Sequence, residues 1–147
     1  MIRAESRYPM TQPSASAHPP HFQRLHHIAI LGSNYARARD FYVRILGLRV
    51  LEETHRAERQ SWKLDLAGEG DLRIELFSFP NPPPRPTRPE ACGLRHLAFA
   101  VADLDAAVAY LVAEGVPVEP VRTDELTGKR FTFFKDPDDL PLELYER

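Results

Sequence analysis

Apolar and polar residues alternate in short runs along the chain, and this alternation predicts two similar sets of strands and helices. The first set opens with a strand over 25–31 (LHHIAIL). A helix follows, which Ser33 or Asn34 can cap and which Gly47 ends, because apolar side chains recur there at helical spacing. The set closes with three extended segments, near 48–55, 60–67 and 72–79.

The second set repeats this order after a proline-rich segment. Residues 80–92 contain six prolines and predict a semi-rigid linker, because proline suits neither a helix interior nor a central strand. A strand is then predicted over 94–101, followed by a helix that Asp103 caps and Gly115 ends. Three extended segments complete the set, near 116–122, 129–134 and 141–146.

The two sets align with each other, which predicts a duplicated βαβββ module. The strand at 25–30 matches 94–99 at an offset of 69 residues, and the triplet IEL at 74–76 matches LEL at 142–144 at an offset of 68. We therefore expect one domain over 23–146, with modules at 24–79 and 93–146. Residues 1–22 show no apolar periodicity and are expected to form a disordered tail.

Four ionisable residues occupy matched positions in the two repeats: His27 and His96 in the first strands, Glu75 and Glu143 in the last. Each histidine has alanine two residues later, and each glutamate has an aromatic residue two later, on its own strand face. A carboxylate inside a strand is costly to bury unless it is paired or bound to a cation. If the repeats pair about a local twofold axis, two imidazoles and two carboxylates converge, and such a set suits one divalent cation with two open positions.

Other interpretations of these residues stay open. The histidines can be core residues, and the glutamates can be bound to buried arginines. His26 is predicted on the opposite face from His27, in a structural role. Four further residues are candidates for lining a substrate pocket, with scattered surface charge and core packing as the alternatives: Trp62, Lys63, Phe77 and Arg130.

Composition narrows the range of partners. The net charge of -2 and the pI near 6.3 argue against a nucleic-acid or anionic membrane surface. Apolar runs are too short for a membrane helix, and the single cysteine, Cys92, excludes an intrachain disulfide. These features predict a cytoplasmic protein with small-molecule partners, no nucleic acid and no membrane.

Several motifs together resemble the glyoxalase and bleomycin-resistance group of the vicinal oxygen chelate superfamily: LHHIAI, DFYVRILGL, IELF, GLRHLAFAV and DPDDLPLELYE. The resemblance spans about 24–146. It implies an α+β fold whose two modules form a cupped, half-open mixed sheet. It also implies one divalent metal ion (Ni, Zn, Co, Mn or Fe) held by His27, Glu75, His96 and Glu143. Asp139 departs from the usual glycine, although aspartate tolerates left-handed geometry.

The same resemblance implies a metal-dependent lyase or isomerase similar to lactoylglutathione lyase. The metal would chelate vicinal oxygens and stabilise an enediolate, while Glu143, with Glu75 as its partner, moves the proton. A glutathione or other thiol adduct is the implied kind of substrate. Homodimers occur in this group, with the site inside one chain or shared. Alternative functions are ring-cleaving oxygenation, thiol transfer to an antibiotic, and non-catalytic ligand binding.

Overall fold

The computed structural model describes residues 21–147, so the predicted tail lies almost entirely outside the described residues. The first module forms a four-stranded sheet in the order β1-β4-β3-β2, with β1 parallel to β4 and the other neighbours antiparallel. A helix, α1 (Tyr35–Asp40), and a π-helical turn (Phe41–Ile45) connect β1 to β2. The strands are β1 (Ile28–Gly32), β2 (Arg49–Arg56), β3 (Ser61–Ala67) and β4 (Arg73–Ser78).

The second module repeats this topology, with the order β5-β8-β7-β6 and β5 parallel to β8. The helix α2 (Leu104–Ala113) occupies the position of α1. The strands are β5 (Leu97–Val101), β6 (Arg122–Thr123), β7 (Arg130–Lys135) and β8 (Pro141–Glu146). The predicted α+β fold of two βαβββ modules is confirmed.

Turn and cap residues behave as the sequence predicts. Asn34 and Asp103 cap the two helices, and each side chain accepts a hydrogen bond from the amide three residues later, at 3.0 and 2.9 Å. Gly47 and Gly115 take positive φ angles of 69° and 78° after the helical segments. Asp139 has a φ of 68°, so it adopts the left-handed geometry expected of this turn.

Three of the predicted strands differ from those in the structure. The first strands of the modules begin at Ile28 and Leu97, three residues later than predicted. In addition, 116–121 is not a regular strand, and only the short β6 pairs with β7. Pro117 and Pro120 lack the amide hydrogens that a ladder requires, which explains the interruption.

The two modules share one hydrophobic core, built on the sheet faces that the helices cover. This helix-covered face includes Ile74 and Leu76 of β4 and Leu142 and Leu144 of β8, all buried. The alternate residues of the same strands, including both glutamates, project from the other face, which we call the site face. No helix within 21–147 has the length and apolar character needed to cross a bilayer.

Candidate metal centre

The first module brings His27 and Glu75 together. In the parallel register of β1 and β4, Glu75 lies beside Ala29, and His27 lies two residues before that alanine. The Nε2 atom of His27 is 3.5 Å from Oε2 of Glu75, and both side chains are partly accessible to solvent. Two of the four predicted ligands are therefore in contact within the first module.

The second module builds an equivalent and more enclosed pair. Glu143 lies beside Ala98, and its Oε2 atom is 3.1 Å from Nε2 of His96. The ring of Phe133, which is opposite Glu143 on β7, meets the His96 ring edge-on at a centroid distance of 5.2 Å. The Glu143 side chain is only 12% exposed, so this carboxylate is the more protected of the two.

The donor atoms of each pair suit two adjacent positions around one metal ion. Bonds of 2.0–2.2 Å at a right angle place two ligand atoms about 3 Å apart, close to the separations in both pairs. Within 21–147, however, no group of three or more histidine, cysteine, aspartate or glutamate side chains converges on a common point. One chain thus presents two separate His–Glu pairs, and the four-residue ligand set stays a prediction.

Lys63 and Phe77 lie on the site face beside Glu75. The Nζ atom of Lys63 is 3.2 Å from Oε1 of Glu75, contacts Asp65 and lies 5.9 Å from the centre of the Phe77 ring. Burial lowers the pKa of Lys63, but hydrogen bonds to Asp65 and Glu75 outweigh burial and leave that pKa raised. A permanent ammonium group therefore accompanies the carboxylate of Glu75.

His26 does not lie on the packed side of the sheet, contrary to the prediction. It is exposed, and its Nδ1 atom is 2.8 Å from Nδ1 of His27. Strand alternation does not apply to it, because β1 begins only at Ile28. One of the two nitrogens must donate a proton to the other, and this contact leaves Nε2 of His27 directed at Glu75.

Trp62 lies on the helix-covered face, so the expectation that it lines the substrate pocket is not met in this chain. Its indole stacks on the Tyr35 ring at 4.6 Å and packs against His55 at 4.5 Å. The cause is strand alternation: Trp62 pairs with Ser78 on β4, whereas its neighbour Lys63 pairs with Phe77.

Arg130 is also on a helix-covered face. The carboxylates of Asp105 and Glu146 bind its guanidinium at 3.1 and 2.8 Å, and these ion pairs hold it away from the site face. On the site face of the second sheet, Arg122 is opposite Phe131, and its guanidinium lies 5.1 Å from the centre of that ring. Sequence reasoning missed Arg122, because the register of the two-residue strand β6 could not be deduced from the pattern.

Two βαβββ modules are the architecture of a vicinal oxygen chelate protein. The family model described as Glyoxalase/Bleomycin resistance protein/Dioxygenase superfamily matches residues 24–144, and the chain belongs to this superfamily. Its members commonly bind a divalent metal, act on small molecules and often form dimers.

Similar proteins cover most of the chain. The chain is 63% identical over 123 residues to "Uncharacterized protein YwkD" of Bacillus subtilis, covering 84% of this chain and 96% of that protein. The crystal structure of a glyoxalase family protein from Enterococcus faecalis is 50% identical, with a TM-score of 0.79, covering 85% and 98%. A trypanothione-dependent glyoxalase I from Leishmania major is 25% identical, with a TM-score of 0.66, covering 84% and 86%.

Proposed function

We propose that the protein is a divalent-metal-dependent lyase or isomerase, similar to lactoylglutathione lyase, that moves a proton between adjacent carbons of a small substrate. The observation that carries this proposal is the repeated His–Glu pair, with nitrogen-to-oxygen distances of 3.5 and 3.1 Å. Two neutral imidazoles and two carboxylates match the charge and the mixed donor preference of a divalent ion. The likeness to a glyoxalase I of known fold supports the same class of chemistry.

The metal would be held by His27, Glu75, His96 and Glu143. When bound, it supplies Lewis acidity toward neighbouring oxygens of the substrate. Glu143 is the proposed base, because no lysine or arginine nitrogen within 21–147 lies within 4 Å of its carboxylate. Glu75 is its less mobile partner, because the ammonium group of Lys63 restrains its carboxylate at 3.2 Å.

The complete site would form between two chains, with His27 and Glu75 from one and the second pair from the other. Accessible site faces support this arrangement, since each module exposes an alanine beside its glutamate: Ala29 beside Glu75 and Ala98 beside Glu143. Their helix-covered faces are already packed into the core of a single chain. A second chain placed over the open faces would cover these residues and bring the two kinds of pair together.

Metal analysis and one assay test the chemistry. The purified protein is analysed for bound metals, stripped, and assayed with methylglyoxal and glutathione after Ni, Zn, Co, Mn or Fe is restored. We expect Glu75→Gln and Glu143→Gln to abolish turnover and weaken metal binding, whereas Glu58→Gln, in an exposed turn, leaves both unchanged. Unchanged turnover in both site variants would contradict the proposed roles, and the absence of any bound metal would favour a ligand-binding function.

Mixing the two inactive variants tests the shared site. In a dimer of one Glu75→Gln chain and one Glu143→Gln chain, one composite site carries both substitutions and the other carries neither. Random exchange makes about half of the dimers mixed, so about one quarter of wild-type activity should return. If each site lies within one chain, every site keeps one substitution and mixing restores nothing.

A further inference from the structure

We propose that a cavity beside His96 binds an anionic oxygen group of the substrate, a carboxylate or phosphoryl oxyanion, through Arg122. The identification of the bound molecule as a substrate rests on the proposed function, whereas the binding of an oxyanion at Arg122 is independent of it. The cavity has a volume of about 210 Å³ and includes His96 and Arg122 in its lining. Complete ligand pockets usually measure about 300–1,000 Å³, so this cavity suits one terminal group of a larger molecule.

Arg122 is fixed close to the metal-binding pair by two aromatic rings. Its guanidinium carbon lies 5.1 Å from the centre of the Phe131 ring and 5.5 Å from that of Phe133. Phe133 in turn contacts the His96 ring edge-on, so a single phenyl ring separates the guanidinium from His96. Stacking engages the flat face of a guanidinium and leaves its in-plane N–H donors available to an oxyanion.

The cavity lining has an excess of positive charge. Its four cationic side chains are Arg88, Arg95, Arg122 and Lys135, and its two carboxylates are Glu90 and Glu119. Arg95 is paired with Glu90 at 2.7 Å, and Lys135 with Asp139 outside the lining at 2.5 Å. Within 21–147, Arg88 has no carboxylate within 4 Å, so the field of the cavity favours an anion.

Glu119 is the competitor that an incoming oxyanion would displace from Arg122. The two residues are three apart in sequence and their side chains are 3.2 Å apart, with about half of each side chain exposed to solvent. Ion pairs of this accessible kind contribute little. A carboxylate or phosphoryl group offers two oxygens in the geometry that arginine binds best, and it would therefore replace a single contact with a bidentate one.

Nuclear magnetic resonance of the metal-free full chain tests this binding without any turnover. ¹H–¹⁵N spectra are recorded during titration with inorganic phosphate, acetate and uncharged acetamide. We expect saturable shifts at the Arg122 Nε–H and at the amides of Phe131 and Phe133 with both anions, and none with acetamide. Shifts centred on another part of the chain, or no saturable shift, would overturn the proposal.

Three variants assign the effect to this side chain. Arg122→Leu should weaken anion binding about tenfold or more, the loss expected from one bidentate charge-assisted contact. Glu119→Gln should tighten it, because the internal competitor loses its charge. Arg49→Leu, at an exposed position on β2 of the other sheet, is the matched control and should leave affinity unchanged. Equal affinity in wild type and Arg122→Leu would contradict the assignment, whether or not the metal chemistry is correct.

Discussion

Removing the hydroxyl of Tyr42 should destabilise the protein, and more so as pH rises. This fully buried residue donates a hydrogen bond of 2.8 Å to Oδ2 of Asp136, which is 7% exposed. The other carboxylate oxygen of Asp136 accepts hydrogen bonds from the backbone amides of Asp138 and Leu140, at 2.8 and 2.9 Å. The contact joins the helical segment of the first module to the β7–β8 turn of the second, and so supports the strand that carries Glu143.

The size of the stability loss in Tyr42→Phe depends on whether the acceptor, the Asp136 carboxyl group, is ionised. A hydrogen bond to an ionised group contributes about 1.5–3 kcal/mol and one between neutral groups about 0.5–1.5 kcal/mol. Burial raises the pKa of Asp136 above its usual value, although hydrogen bonds from the Leu140 amide and the Tyr42 hydroxyl oppose that rise. Tyr42→Phe should therefore lower the free energy of unfolding by about 2 kcal/mol at neutral pH and by about 1 kcal/mol once Asp136 is protonated.

The raised pKa of Asp136 determines how the stability loss in Tyr42→Phe changes with pH. A carboxyl group whose pKa is raised by folding contributes most below its unfolded pKa, and this contribution is lost as pH rises through the folded pKa. Loss of the Tyr42 hydroxyl removes a bond that favours the ionised form and raises the pKa of Asp136 further. The difference between wild type and Tyr42→Phe should therefore widen as pH increases.

Urea unfolding across a series of pH values measures this difference. The matched control is Tyr110→Phe, because the Tyr110 hydroxyl is more exposed and donates to the neutral carbonyl of Ile45 at 3.0 Å. Tyr110→Phe should lower the free energy of unfolding by less than about 1 kcal/mol, and this loss should not change with pH. Equal, pH-independent losses in both variants would refute the role given to the ionised Asp136.

Three further predictions concern the site and the fold. His26→Ala should weaken metal binding about tenfold or more, measured by competition with a chromophoric chelator, because its contact orients the His27 ring; unchanged affinity would exclude that role. Lys63→Met should tighten metal binding in the same assay, more at low salt, because an ammonium group leaves the vicinity of Glu75; weaker binding would contradict this. Gly32→Ala should cost about 1–3 kcal/mol in urea unfolding, because its new Cβ would lie 2.9 Å from Cβ of Ala38; Gly115→Ala, with open space but a φ of 78°, should cost only about 1 kcal/mol.

The sequence was sufficient to assign the strand face of the two glutamates. Glu75 and Glu143 lie in the middle of β4 and β8, so alternation placed them correctly on the face opposite the aliphatic core. The duplicated order of elements also matched His27 with His96 and Glu75 with Glu143 as equivalent positions of the two modules. Both conclusions depend on local periodicity, which a single sequence contains.

Prediction failed where strand alternation was extended beyond a strand or was not applied. His26 lies before β1, so its side chain follows the local backbone and contacts His27 instead of the core. Trp62 and Arg130 were predicted to line the pocket because of their chemistry alone. Trp62 alternates with Leu64 and Leu66 in β3, and Arg130 with Thr132 and Phe134 in β7, so strand alternation assigns both to the helix-covered faces.

Whether the four ligands meet within one chain could not be predicted, because repeat matching identifies equivalent positions without fixing the arrangement of the modules. The linker over 80–92 has thirteen residues and could span up to about 45 Å when extended, so it permits either arrangement. The burial of aliphatic surface decides how the two modules are arranged. The helix-covered faces of both modules pack into one core, and this packing leaves the site faces open. Restored activity in the mixed Glu75→Gln and Glu143→Gln dimer would show that a second chain completes the metal centre, and no restoration would require the two modules of one chain to close over the metal.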